Sequence, residues 1–569
     1  MALMEFLRSD TTLRMKNPKS CPLILLGICL SIGSESSIAA GKDEYTTTVR
    51  FRLLDSAGEI TPAMVCITST KDGTVRLPPD GEPNPPVSKI GDFTGGIDFQ
   101  EGTDWIGPVR KTTGVGNNQD RSFVYESVPS LPYWNEPVMY QTSGEFSIRL
   151  PDGEWRVAVQ HGNEHIPVVQ EFRTDGSAQE QVIRLERWID LPSEGWYSGD
   201  VHVHHPTVKA EHRNYLLQYA QAEDVHLVNA LEQYHHLGRD SHLIASHSPQ
   251  AGFGKAFRTQ KEGRWLVSGQ EAPSSQFGHI IGLNIERPVH EPDHFDLYDQ
   301  AFTEIHQQPE ALVGYAHFSW NGCDLPRGFP WYVTTEQIDF VELLQFARIN
   351  MLDYYDYLNL GFRLVAAAGS DVPWGSTLGE VRTYVHTGAE FDPDRWFASL
   401  KAGRSFVSNG PALDFTIDDN LPGTELARKR GDSIKIVARV RSHEKIGLPQ
   451  VLQLVSNDGI VHEATARKNQ TELSFVIDAP LEQSGWYVAS TQCGNGAVAH
   501  SSPIYVVVNG KPTWSATRGP AAIDKQLAAI QKIQTEFNRR KNASNRQGVL
   551  ERLKNAIDYY AHLRKQMEE

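Results

Sequence analysis

Between Glu194 and about Gly410 the chain alternates apolar strand-like runs with helical stretches, and this pattern constrains the fold more than any other feature. "GDVHVHH" precedes a helix-like "EHRNYLLQYAQAE". "VHLVNAL", "WLVSGQEA", "HIIGLNI", "LVGYAHF", "FVELLQ" and "LVAAAGSD" supply further strands, and "INMLDYYDYLNLG" reads as a helix ending at Gly361. A helix after each strand carries the chain back to start a parallel neighbour. The pattern therefore argues for parallel strands and, at this length, a barrel-like α/β domain.

The flanks read differently. From Tyr45 to about Arg187, short alternating runs such as "TTTVRFRLLD", "AMVCITST", "GEFSIRL" and "EWRVAVQHG" are separated by Gly, Asp, Asn and Pro, as in an antiparallel β-sandwich. One long insert, Asp72 to Tyr140, is rich in Pro and Gly and lacks periodicity; it carries Trp105, Tyr125, Tyr133 and Trp134. Alternation returns from Leu413 to Val508 and predicts a second sandwich. Ile523, Leu527, Ile530 and Phe537, then Leu550, Leu553, Ile557, Tyr560 and Leu563, follow helical spacing and predict a helical hairpin. A chain of 569 residues is too long for one core. The expected division is 1–40 lead and signal, 41–190 N-terminal sandwich, 191–411 barrel, 412–510 C-terminal sandwich and 511–569 helical tail.

The N-terminus reads as an export signal. Lys16 and Lys19 precede the apolar "CPLILLGICLSIG", and "SIAA", Ser37 to Ala40, offers the small residues of a cleavage site. A mature chain starting near Ala40 or Gly41, periplasmic or secreted and without membrane insertion, is expected. Cys66, Cys323 and Cys493 would then remain, odd in number and far apart, which is no disulfide framework. The formal net charge of -16 argues against nucleic acid or an anionic membrane surface as partner.

The chemistry concentrates where strand candidates end. His202 and His204 are two apart in a strand and so project to one side, where two imidazoles can share a metal ion. "LVSGQEAPSSQFGHIIGLN" ends a strand with Glu271 and brings in His279. "VGYAHF" ends with His317 and "LVAAAGSDVP" with Asp371. Singly, His317 can be a core histidine, Asp371 a helix N-cap and Glu271 a surface carboxylate. Together, on successive strand ends, they form a nitrogen and oxygen donor set for a divalent ion.

"GDVHVHH", "GQEAP…GHIIGL", "GYAHF", "AAGSDVP" and "LKAGRSFVSNGP" resemble the polymerase-and-histidinol-phosphatase (PHP) superfamily, and within it the CehA/McbA group of metallohydrolases. The resemblance covers roughly Glu194 to Pro411. It implies a distorted (β/α)7 barrel with metals at the strand C-termini. It also implies that His202, His204 and Asp371 hold a first metal, that Glu271 bridges, and that His279 and His317 hold a second. The family's "DH" after the second strand is replaced by "NALEQYHH", where Glu232, His235 or His236 can substitute, and its histidine after the last aspartate is Pro373. Both departures fall on the third-metal site, so two divalent ions (Zn, Mn or Fe) are expected.

Two cations sharing a water would aim it at a carbonyl or phosphorus centre, with Asp371 as base and Glu271 as bridge. Arg348, His205, Tyr234 and Arg382 are candidates for holding an anionic substrate; Arg404 reads as structural. The function expected is an exported metal-dependent hydrolase of a small-molecule phosphoester or carboxyl or carbamate ester. The alternative is a non-catalytic surface-binding protein with a degenerate barrel. A DNA-processing role is disfavoured by the acidic charge and by export.

Overall fold

The residues described in a computed structural model of the chain are 45–76, 140–236, 244–275, 277–291, 296–319, 328–346, 348–372, 378–539 and 545–569. The expected lead and signal segment, Trp105, Tyr125, Tyr133 and Trp134 of the insert, Cys323 and Pro373 lie outside them. So do the side chains of His235 and His236.

In the strand Tyr45–Leu54, Val49, Phe51 and Leu53 are buried while Arg50 is exposed, the period of two that a strand imposes. Glu145–Pro151 pairs antiparallel on one side of it and Gln179–Arg184 parallel on the other. A second sheet contains Ala63–Ser69, Gly153–Gln160 and Val168–Thr174. Val65, Ile67, Trp155 and Val157 from this sheet share one core with Phe51, Phe146 and Ile148 of the first. Near the C-terminus, Ala412–Ile417, Ser433–Arg441 and Glu472–Pro480 form an antiparallel sheet. Its Phe415, Ile434 and Ile436 pack with Leu452, Leu454 and Ile504 of the facing strands.

Between these flanks, Trp196–Val203, Leu227–His236 and Arg264–Ser275 run parallel. Leu312–Tyr315, Phe340–Gln345 and Val365–Ala368 form a second parallel run. Gly278–Leu283 joins the two, antiparallel to both neighbours. The hydrogen-bonded strand path that contains them closes only after passing through strands of the C-terminal region, and an isolated parallel bridge links Val203 to Val372. The expected distorted (β/α)7 barrel is not shown as such. The turn between Ser275 and Gly278 is too short for a helix, so the next strand folds back as a hairpin. Arg382–His386 also lies antiparallel, beside Trp196–Val203. The observed architecture is coarser: a β-rich molecule of several sheets, with helices such as Ala210–Ala222, Tyr298–His306 and Met351–Asn359 on some crossovers.

The helices Gly519–Asn538 and Arg546–Glu568 dock on this centre. Ile523, Ile530, Phe537, Leu553, Tyr560 and Leu563 are buried, as their spacing predicts. Tyr560 Oη donates to the Pro330 carbonyl at 2.7 Å, and Arg552 Nη2 to Asp299 Oδ2 at 2.9 Å. The same apolar cluster contains Phe277, Val341, Trp486 and Leu553, so it runs without a break across 411 and 510, and residues 45–569 form one compact unit. No helix among the described residues is long and apolar enough to cross a membrane.

Candidate metal centre

All six ligand candidates meet at one place. His202, His204, Glu271, His317 and Asp371 are buried, and His279 is partly exposed. His202 Nε2 lies 3.0 Å from His204 Nε2, 3.4 Å from Asp371 Oδ1 and 3.6 Å from Glu271 Oε1. His204 Nε2 lies 3.2 Å from Glu271 Oε2 and 3.3 Å from Asp371 Oδ1. On the other side, Glu271 Oε1 lies 2.6 Å from His279 Nδ1 and 3.3 Å from His317 Nε2. Donor atoms fall into two sets, His202/His204/Asp371 and Glu271/His279/His317, each within 4.8 Å, and a third, His202/His317/Glu342, shares one histidine with each. The surface reading of Glu271 is excluded by its complete burial, and Asp371 caps no helix among the described residues.

The backbone at two of these residues is unusual. His317 and Asp371 have φ of +58° and +56°, a left-handed conformation that non-glycine residues adopt at a cost of order 1 kcal/mol. Each is pinned there. The His317 N–H donates to Glu342 Oε2 at 2.7 Å, and the Asp371 N–H donates to the His202 carbonyl at 2.7 Å.

The outer hydrogen bonds test whether a cation fits. His202 Nδ1 lies 2.8 Å from Glu342 Oε1, His204 Nδ1 lies 3.3 Å from the Leu231 carbonyl, and His317 Nδ1 lies 2.8 Å from Gln345 Oε1. Each acceptor assigns the ring proton to Nδ1. The Nε2 lone pairs of His202 and His204 then face one another at 3.0 Å. In neutral rings two lone pairs so placed repel, and a cation between them, a proton or a metal ion, converts the repulsion to binding. Rings oriented from behind by a carboxylate or carbonyl are the usual arrangement of metal-ligating histidines. Imidazole nitrogens with carboxylate oxygens suit Zn, Mn or Fe, so the donor set fits the expected ions.

The electrostatics agree. Burial works against charge on His202, but Glu342, Asp371 and Glu271 more than offset it and hold its pKa well above the usual value. His204 moves up against burial through Asp371 and Glu271. His317, opposed by burial and helped by Glu271 and Asp371, is pushed up to about 9. Burial opposes ionisation of Glu271 and Asp371 too, yet the histidines around them hold both below the usual carboxylate range. The pocket is built for positive charge.

The four substrate-binding candidates do not join the cluster. Arg382 is fully buried and donates to the carbonyls of Gly379 at 2.9 Å, Asp224 at 3.1 Å and Glu223 at 2.5 Å. Its guanidinium also lies 4.0 Å from Glu223 Oε2. His205 follows His204, so its side chain leaves the other way; it stacks on Tyr215 with ring centroids 5.6 Å apart, and burial pushes its pKa down to about 3. Tyr234 is buried and stacks on His290 at 4.4 Å. Arg348 is exposed in a short antiparallel pairing, opposite Gln345.

Sequence reasoning missed Glu342, Gln345 and Gln233, whose side-chain amide donates to Glu271 Oε2. The signal for Glu342 was present: a lone carboxylate inside the apolar run "FVELLQ" needs a buried partner. A second set of ligand types, His161, His165 and Asp224, is also buried. There the Asp224 carboxylate is already taken by Arg187 Nη2, at 2.7 Å on one oxygen, and by Arg264 on the other. Two guanidiniums on the only carboxylate oppose a cation, so this is an ion-pair network beneath the N-terminal sandwich.

No family model matches the chain, and no curated protein matches it. Solved structures match only in part. The extracellular domain of mouse leukocyte-associated immunoglobulin-like receptor 1 is 20% identical over 17% of this chain and 95% of its own, with a TM-score of 0.13. Superoxide reductase (neelaredoxin) from Ignicoccus hospitalis is 12% identical over 18% of this chain and 82% of its own, also at 0.13. Fibronectin(III)-like modules of Clostridium thermocellum CbhA are 11% identical over 17% of this chain and 98% of theirs, again at 0.13. Likenesses at this level carry no argument about fold or function.

Proposed function

We propose that the chain is an exported metal-dependent hydrolase of the CehA/McbA-like PHP type, acting on a small-molecule phosphoester or a carboxyl or carbamate ester. The strands from Trp196–Val203 to Val365–Ala368 are read as a distorted (β/α)7 barrel in which hairpins replace some helical crossovers. One observation carries the proposal. Residues in or just after five separate strands bring four imidazoles and two carboxylates together, with the His202 and His204 Nε2 atoms 3.0 Å apart.

His202, His204 and Asp371 would hold one divalent ion, and Glu271, His279 and His317 the second. Such ions supply Lewis acidity toward a substrate oxygen and lower the pKa of a coordinated water toward neutrality. The protein does the rest. Asp371, kept ionised by the histidines around it, is placed to accept a proton at Oδ1 or Oδ2. Glu271 sits between the two sets, with Oε2 toward His204 and Oε1 toward His279 and His317. Burial of five of the six residues excludes bulk water, and the more exposed His279 marks the open side.

The test is a panel of chromogenic phosphate, carboxylate and carbamate esters, run with protein as purified, after chelation, and after return of Zn, Mn or Fe. Turnover that chelation removes and metal restores supports the proposal. No turnover on any ester by fully metal-loaded protein contradicts it and favours a binding role.

A further inference from the structure

Glu342 lies in the strand Phe340–Gln345, is completely buried, and is not among the six ligand candidates. Its two oxygens do different work. Oε1 accepts from His202 Nδ1 at 2.8 Å, and Oε2 accepts from the His317 backbone N–H at 2.7 Å. His202 belongs to the set with His204 and Asp371, His317 to the set with Glu271 and His279, and the two histidines meet in a third set whose remaining member is Glu342 itself. Glu342 meets His202 on Nδ1, the ring nitrogen turned away from His204 and Asp371. That contact makes it an outer partner and not a competing ligand.

We propose that Glu342 is a positioning residue that couples the two halves of the centre. This rests on the metal reading given above. One oxygen fixes the ring proton of His202 and so aims its Nε2. The other holds His317 in its left-handed backbone conformation, φ +58°, which aims that ring at Glu271 and His279. A residue that aimed only one ring would affect one ion; Glu342 acts on a ligand of each.

Gly369 shows how closely Glu342 is packed. A Cβ built on it would lie 2.5 Å from Glu342 Oε1 and 2.5 Å from the His202 Cβ. The neighbouring strand end therefore admits only glycine against the His202–Glu342 pair.

The experiment compares wild-type protein with Glu342→Gln and Glu342→Asp, using Zn²⁺ alone as probe in chelator competition. Visible spectra of the Co²⁺-loaded proteins and far-UV circular dichroism are recorded in parallel. Gln turns a donor toward one of the two N–H groups and loses the charge. Asp keeps the charge but is one methylene short of spanning both. Loss of an outer-shell partner typically weakens metal binding about 10–100-fold. The expected result is weakening of both Zn²⁺ binding steps, in the order wild type, Glu342→Asp, Glu342→Gln, with altered Co²⁺ bands and unchanged secondary structure. If Glu342→Gln does not fold, Glu342→Asp alone decides. Wild-type affinity at both steps, or weakening of one step only, overturns the coupling while leaving the metal reading intact. A wild-type protein that binds no Zn²⁺ overturns both.

Discussion

The Nε2 atoms of His202 and His204 face one another at 3.0 Å, while their Nδ1 atoms are tied outward to Glu342 and to the Leu231 carbonyl. Two residues apart in sequence, they converge because the strand ends at Val203 and His204 continues from it, its N–H donating to the Val372 carbonyl at 2.6 Å. The pair marks one end of the centre and Glu271 marks its middle, which sets what each substitution should do.

Asp371→Asn should lower turnover by on the order of 10²–10⁴, the usual effect of losing a general base, with little change in melting temperature. Asn keeps the shape, tolerates the left-handed backbone at φ +56° and loses the basicity. Glu271→Gln should be worse, because its oxygens face both donor sets. Steady-state kinetics on the best ester from the panel, beside thermal melts, checks both.

Gly369→Ala should reduce metal content without touching any donor. Its added methyl meets Glu342 and the His202 Cβ at 2.5 Å, well inside contact distance, and must displace one of them. Elemental analysis should show less than the wild-type complement; an unchanged complement would mean the strand end moves aside.

Asp224→Asn should separate the two histidine clusters. It removes the charge that holds Arg187 and Arg264, and breaking a buried pair of this kind costs about 3–5 kcal/mol. Denaturant unfolding should show that loss, while metal content of the folded fraction stays at the wild-type value.

Metal-free protein should lose stability as pH rises from about 6.5, the ordinary histidine value, toward the value of about 9 reached by His317. The folded pKa is raised, so the stabilisation is complete below the unfolded value and disappears as pH climbs through the folded one. His202 and His204 shift the same way. Glu271 and Asp371, held low, act oppositely: their contribution is present above the ordinary carboxylate range and is lost on acidification. Metal needs deprotonated imidazoles, so added Zn²⁺ should raise the melting temperature more at pH 8 than at pH 6. A metal-free melting temperature that rises from pH 6.5 to 9 would contradict this.

The donor set was legible in the sequence because several of its members follow apolar runs. His317 and Asp371 come after runs of buried apolar residues, Glu271 shortly after the apolar pair Leu266 and Val267, and His202 pairs with His204 at strand spacing. Glu342 and Gln345 were passed over because they lie inside "FVELLQ", which periodicity reads as core. The surroundings of Arg382 were not legible: its guanidinium donates to three backbone carbonyls, which no residue pattern announces. Helical crossovers were over-read for a similar reason. An apolar run such as "HIIGLNI" looks the same whether the strand runs parallel or folds back, and the turn at Gly278 decides.

The central claim is that this centre holds two divalent ions, and the most direct measurement is elemental analysis of unchelated wild-type protein beside His204→Ala. The account predicts about two equivalents of Zn, Mn or Fe per wild-type chain and about one fewer in the variant, since His204 belongs to one donor set and not to the other. Wild-type protein with no bound metal, and none taken up from excess Zn²⁺, would contradict it.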